Sequence, residues 1–215
     1  MGGQWPLIVQ RLRRDGSYRR AFAEAFGVGR AAITPDKVAT ALADFQRSLL
    51  VGSSKFGRWT QGKGKLNPLE ALGHAIFFDL ADDPLGNYAA LPTGECAHCH
   101  LPPAFTDYKF HNNGLDEHER LEDFTDRGRG GITGLAFDNG KFRTPGLRNL
   151  SRTAPYMHDG RFATLMEVVE HYDRGGHYAA NRSPNVRPLG LTKREKEALV
   201  AFLLTLDGDS GVNDQ

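Results

Sequence analysis

Hydrophobic and polar positions recur with a helical period at both ends of the chain and lose any sustained period in the middle. Near the start, "LIVQRL" reads as one helix. Ser17 can cap a second that carries Tyr18, Phe22 and Phe26 and stops at Gly27. Thr34 and Pro35 open the clearest helix, in which Val38, Ala41, Leu42, Phe45 and Leu49 predict one apolar stripe. "TQGKGK" at 60–65 reads as a linker, after which Asn67 and Pro68 start a helix with Leu69, Leu72, Ile76 and Phe77 inward. A further helix over about 164–172 turns Leu165, Val168, Val169 and Tyr172 to one side and ends at Gly175–Gly176. Thr192 and Glu195 form a capping box for the last helix, which buries Leu199, Phe202, Leu203 and Leu206. From Leu101 to Gly160 the chain is rich in Gly, Pro, Asn and Asp, and a loop that long in a compact domain is expected only where it has a function.

Composition narrows the function classes. At 215 residues the chain has room for one large or two small domains. Lys and Arg number 27 against 26 Asp and Glu, so there is no basic field to support nucleic-acid binding. The longest apolar run, "ALVAFLLTL", is about half of what a membrane span needs. The opening "MGGQWPLIVQRLRRD" lacks the apolar core and small-residue cleavage site of a secretory leader.

Both cysteines of the chain lie in "GECAHCH", with a histidine directly after the second. That spacing closes almost no loop, so a disulfide framework is not indicated. A thioredoxin-like pair should follow a strand, and none is predicted here. Zinc wants four ligands, and with no other cysteine it would need His98, His100 or a distant histidine in an unusual combination. Haem c needs only what is present: Cys96 and Cys99 about one turn apart for the two vinyl groups, and His100 as proximal ligand. His98 is then an exposed spacer. A haem also gives the irregular middle segment an apolar body to wrap.

The iron's sixth position decides what such a haem does. Met1 is terminal and Met166 lies on a helix face, whereas Met157 sits in the proline-turned "RTAPYMHDGRF" with no helical face to bury it. His158 and His111 are rival ligands, and Tyr156 can ligate or hydrogen-bond nearby. His74, His118, His171 and His177 read as surface or helix-packing residues. Arg143 and Arg148 in "KFRTPGLRN" suit haem propionates, and equally suit a solvated surface.

Several stretches in order, "GECAHCH", "FTDYKFHNNGL", "GKFRTPGLRNLSRTAPYMHDGRFATLMEVVEHYDRGG" and "LGLTKREKEALVAFLLTLDG", resemble the C-terminal haem domain of the bacterial di-haem cytochrome c peroxidases and their MauG relatives. "LRRDGSYRRAFAEAFG" and "ITPDKVATALADFQRSLL" extend the resemblance over nearly the whole chain. It implies a mainly α fold: a helical segment of the N-terminal peroxidase domain plus linker at 1–64, then a cytochrome c-like haem domain with long haem-wrapping loops at 65–215. It implies that this haem is the electron-entry site, ligated by His100 and, as in the peroxidases, a methionine, which maps onto Met157. In MauG a tyrosine takes the sixth position; the loop offers both Tyr156 and Met157, and the sulfur is expected. The family has a second C-x-x-C-H in an N-terminal domain where peroxide is cleaved, and an acidic residue or glutamine followed by Met-Gly before the "LIVQRL" helix. Here Met1-Gly2 stands in that place, so the expectation is a start at an internal methionine, which would account for the missing leader and second haem. The implied activity of the full protein is reduction of hydrogen peroxide with electrons from a small periplasmic cytochrome or copper protein. Alternatives are a MauG-like enzyme that oxidises residues of a partner protein, and a stand-alone mono-haem electron carrier. A calcium ion between domains, a periplasmic location and a homodimer are compatible with the resemblance. With their partner domain lacking, Phe22, Phe26 and Phe45 are expected to be thinly covered.

Overall fold

The computed structural model describes residues 4–27, 29, 32–48, 54–80 and 91–208. It is mainly α-helical with one small two-stranded sheet. The chain divides into two compact units, Met1–Leu50 and Val51–Gln215.

The first unit holds α1 (Trp5–Arg14), α2 (Gly16–Phe26) and α3 (Pro35–Ser48). Asp15, rather than the expected Ser17, caps α2: its carboxylate accepts from the Ser17 hydroxyl and from the Ser17 and Tyr18 backbone N–H groups, and these bonds hold its pKa below the ordinary value. Gly27 closes α2 in the left-handed region, as expected of a stop residue. Phe22, Ile33 and Val38 form a small core with Phe26 and Ala41 against it. The Arg13 guanidinium donates to the Ile33 carbonyl and fixes the turn before α3. Phe22 is better covered than its expectation, whereas Leu42 and Phe45 stay 54% and 60% exposed. Leu49 lies outside the described residues.

The second unit is built on α5 (Pro68–Phe77) and α8 (Lys193–Leu204), with α7 (Leu165–Asp173) packed on α8. All three have complete capping boxes, Asn67 with Glu70, Thr164 with Glu167 and Thr192 with Glu195. Gly73 lets α5 approach α8 closely: a Cβ there would stand 1.9 Å from the Ala198 carbonyl oxygen. Ile76, Phe77, Phe202 and Leu206 are sealed at this contact. The short α4 (Lys55–Thr60) also belongs here, because Phe56 packs edge-on to Phe105 and Phe202 and its N–H donates to the Thr205 carbonyl. That packing puts the division at 50/51, where the Gly-rich linker had suggested 64/65.

His74 on α5 sits among Phe56, Trp59, Phe78 and Phe202, with ring centroids 4.8–5.9 Å away. Burial lowers its pKa from 6.5 to about 4, so the native ring is neutral. Unfolded chain binds the proton first, and stability is therefore lost as the pH falls from about 6.5 toward 4. His74→Phe is expected to shrink the stability difference between neutral and mildly acid pH by about 1–3 kcal/mol. Urea melts at both pH values check this; parallel losses in variant and wild type would contradict it.

The middle of the chain carries little regular structure, as its missing period implied. β1 (Phe110–His111) pairs antiparallel with β2 (Phe142–Arg143), and α6 (Gly130–Thr133) is a single turn. Buried side-chain amides do the work of a ladder. Asn112 Nδ2 donates to Asn181 Oδ1 at 2.8 Å, and Asn181 Nδ2 donates to the Phe137 and Asn139 carbonyls. Asn139 Nδ2 in turn donates to the Leu121 carbonyl. Each of these amides is at most 6% exposed, and such a satisfied polar network specifies one arrangement of the loops it joins.

Candidate haem centre

The motif begins where Gly94 crosses the end of α5; its N–H donates to the Ile76 carbonyl, and a Cβ would stand 2.6 Å from that oxygen. Cys96–His98 form a single 3₁₀ turn, and the His100 N–H donates back to the Cys96 carbonyl. Cys96 and Cys99 are free thiols. Burial pushes the Cys96 thiol up to about 12 and raises that of Cys99. A neutral thioether sulfur carries no charge to desolvate and suits such burial.

His100 is held ready to ligate. Its Nδ1 lies 2.8 Å from the carbonyl oxygen of the fully buried Phe105, and a carbonyl only accepts, so Nδ1 carries the proton. The Nε2 lone pair is left for a metal, with the second partner fixing the ring. Burial also lowers the His100 pKa, which keeps the imidazole neutral.

A cavity of about 540 Å³ brings Cys96, Cys99, His100 and Met157 together. Leu165 and Val169 of α7 and Leu199 and Leu203 of α8 give it apolar walls. Met157, at φ +74°, has its Sδ 3.5 Å from Asn113 Nδ2. Arg161 pins this loop from the other end, donating to the Leu115 carbonyl and pairing with Asp116 and Asp159. Tyr156 also lines the cavity, and its hydroxyl donates to the Leu150 carbonyl at 2.8 Å. Tyr172, read from sequence as one side of a helix, reaches the cavity, and its Oη accepts from the same Asn113 amide at 3.2 Å. The signal was present, since Tyr172 follows Val168 and Val169 at helical spacing on the face that lines the cavity.

The rival histidines line the same cavity and have partners there. His111 Nε2 is 2.8 Å from Asp107 Oδ2, and the exposed His158 stacks on Phe142 with centroids 3.6 Å apart. His98 is exposed as expected but pairs with Glu95 at 2.9 Å. Among the described residues Cys99 groups with Asp107 and His111, leaving Cys96 and His100 outside, which does not assemble a C-x-x-C zinc site. Arg143 and Arg148 both reach the cavity rim; Arg148 donates twice to the Pro103 carbonyl, while Arg143 lies over the Tyr108 ring. Arg187, which sequence reading missed, adds a guanidinium at the rim and pairs with Glu95. Two neutral sulfurs, a neutral oriented imidazole and an apolar cavity with a cationic rim are a donor set that fits a c-type haem.

The comparisons agree with that class of protein. The sequence model of the family described as di-haem cytochrome c peroxidase matches residues 1–65. The methylamine utilization protein MauG of Methylorubrum extorquens is 37% identical over 94% of this chain and 53% of its own length. Cytochrome-c peroxidase IdrP1 of Denitromonas iodatirespirans is 33% identical over 95% of this chain and 58% of its own length. A crystal structure of a MauG-like protein associated with microbial copper homeostasis superposes with a TM-score of 0.75 at 34% identity, covering 96% of this chain and 63% of that one. The chain belongs to the di-haem cytochrome c peroxidase and MauG family. It spans about half the length of the curated relatives it matches. Among the described residues no helix is long and apolar enough to cross a membrane.

Proposed function

We propose that this chain carries one covalently bound haem c and serves as the electron-transfer domain of a di-haem peroxidase-like protein. The observation that carries the reading is the convergence of Cys96, Cys99 and the oriented His100 on one apolar cavity that also receives Met157 and Tyr172. Cys96 and Cys99 would supply the thioether bonds, His100 Nε2 the proximal ligand, and Arg143, Arg148 and Arg187 the cations for the propionates. The bound haem supplies one-electron chemistry. The chain's own residues keep the imidazole neutral, exclude water with the α7 and α8 side chains, and fill the sixth position from within. Peroxide then finds no open site here, and its reduction belongs to a second haem of the full-length protein. The electron donor is a small cytochrome or copper protein in the periplasm, where c-type attachment takes place.

For the sixth ligand, Tyr172 is the stronger donor of the two. It stands on α7, whose Leu165 and Val169 are anchored in the core, and its oxygen accepts a hydrogen bond without donating one among the described residues. Met157, the donor expected from sequence, is the second reading, favoured by its sulfur beside the same amide. Tyrosine ligation together with the 37% identity to MauG supports a MauG-like role, oxidation of residues of a partner protein, as the alternative activity of the full-length protein.

The haem-loaded chain is expected to exchange electrons with a reduced cytochrome, yet to oxidise it with hydrogen peroxide no faster than a free haem peptide does. Stopped-flow and steady-state assays of the same sample check both halves. Sustained peroxide turnover at an enzymatic rate would overturn the reading.

A further inference from the structure

The Asn113 side chain touches both candidate donors of the sixth position, Met157 Sδ at 3.5 Å and Tyr172 Oη at 3.2 Å. An amide nitrogen carries two hydrogens, so it can serve both atoms at once. The amide is not free to choose another partner. Its residue is clamped from behind by His171, 2% exposed, whose Nε2 donates to the Asn113 carbonyl at 3.0 Å. On one side Asn112, also 2% exposed, binds Asn181 and accepts from the Gly114 N–H. On the other side the Gly114 carbonyl accepts from the His177 N–H at 2.7 Å. Two elements distant in sequence, the Met157 loop and α7, therefore meet on one amide that buried polar groups hold in place.

We infer that Asn113 is the positioning residue of the sixth coordination position, holding its donor atom and setting the donor's strength by hydrogen bonding. The inference rests on the proposed sixth-position reading. A hydrogen bond to a ligating atom draws electron density away from the metal, which favours the ferrous over the ferric state. The sign is the same for a thioether sulfur and for a phenolic oxygen, so the consequence for the reduction potential does not depend on which of the two ligates.

The test uses the full haem-loaded chain. Asn113→Leu removes the amide, and Asn113→Asp keeps its shape while leaving an acceptor-only group at neutral pH. In either variant the reduction potential, read by spectroelectrochemistry, is expected to fall. The ferrous-to-ferric ratio at a fixed applied potential should drop at least about fivefold, the worth of one hydrogen bond. Asn113→Gln should recover part of the effect. Melting temperatures accompany the measurement, and one folded variant of the pair is enough. A folded variant whose potential matches the wild type would overturn the inference. Tyr172→Phe and Met157→Leu are run alongside: if neither alters the haem spectrum, the sixth-position reading fails on its own account. If one does and Asn113 variants shift nothing, only the positioning role fails.

Discussion

With Cys96 and Cys99 both changed to alanine, the chain is expected to lose denaturation-resistant haem altogether and, with it, the fixed packing of its middle segment. The first half follows from the chain having no other thiols. The second follows from what surrounds the cavity. Leu165, Val169, Leu199 and Leu203 each turn apolar surface toward about 540 Å³ of space, and the loops from 101 onward cross it with few ladder hydrogen bonds of their own. Without haem those side chains face water in place of an apolar partner, a loss on the order of several kcal/mol at ~25 cal/mol per Å², which is a sizeable part of the stability of a domain. The α5–α8 contact, sealed by Gly73 and Phe202, does not face that loss directly. The double variant should therefore keep most of its far-UV helical signal while its near-UV signal collapses. Haem staining after denaturing electrophoresis should vanish, whereas either single variant should retain one thioether and some stain. Persistent stain in the double variant would place attachment elsewhere and contradict the site.

Tyr172→Phe is expected to change the coordination of the ferric haem, and Met157→Leu to leave it six-coordinate. The phenylalanine keeps the ring in its place on α7 and deletes only the oxygen that accepts from Asn113, so packing loss does not confuse the result. A phenolic oxygen is a hard donor that suits ferric iron, whereas a thioether is soft and raises the potential. Removing Tyr172 should thus produce a five-coordinate ferric spectrum that accepts imidazole readily, or let Met157 take its place with a marked rise in potential. Tyr156→Phe, which removes only the bond to the Leu150 carbonyl, should leave the spectrum unchanged. If Met157→Leu opens the site and Tyr172→Phe does not, the sulfur is the ligand and the peroxidase-type assignment gains over the MauG-like one.

What could be read from the sequence was mostly local. Asn67, Thr164 and Thr192 announce their helices because each cap is satisfied by a glutamate three residues on, within reach of any unfolded chain. The haem motif is likewise contained in seven consecutive residues, Gly94 to His100. Where reading failed, the deciding contacts were distant or competitive. Asp15 is the cap because α2 starts at Gly16, which makes Ser17 its second residue and the Ser17 N–H one of the groups that the Asp15 carboxylate accepts from. Phe56 joined the second unit through Phe105 and Phe202, partners 49 or more residues away in the chain that no local pattern reveals. The same holds for the site. Tyr172 is separated from Asn113 by 59 residues, and helical periodicity alone gives it the look of a core residue. Tyr156, adjacent to Met157, also lines the cavity, but its hydroxyl donates to the Leu150 carbonyl, which periodicity does not show. The buried Asn112–Asn181–Asn139 chain explains how a segment without period can be ordered at all, and its members look from sequence like ordinary loop asparagines.

The central claim, haem held through Cys96 and Cys99, is tested most directly by mass spectrometry under denaturing conditions. The chain is produced behind a periplasmic leader with c-type maturation factors, unfolded in acid, and weighed intact and after proteolysis. The account predicts the mass of the polypeptide plus one haem, with the added mass on the peptide that contains Cys96 and Cys99. A haem-free polypeptide whose colour is extracted by acid acetone, or one that carries zinc in place of haem, would contradict it.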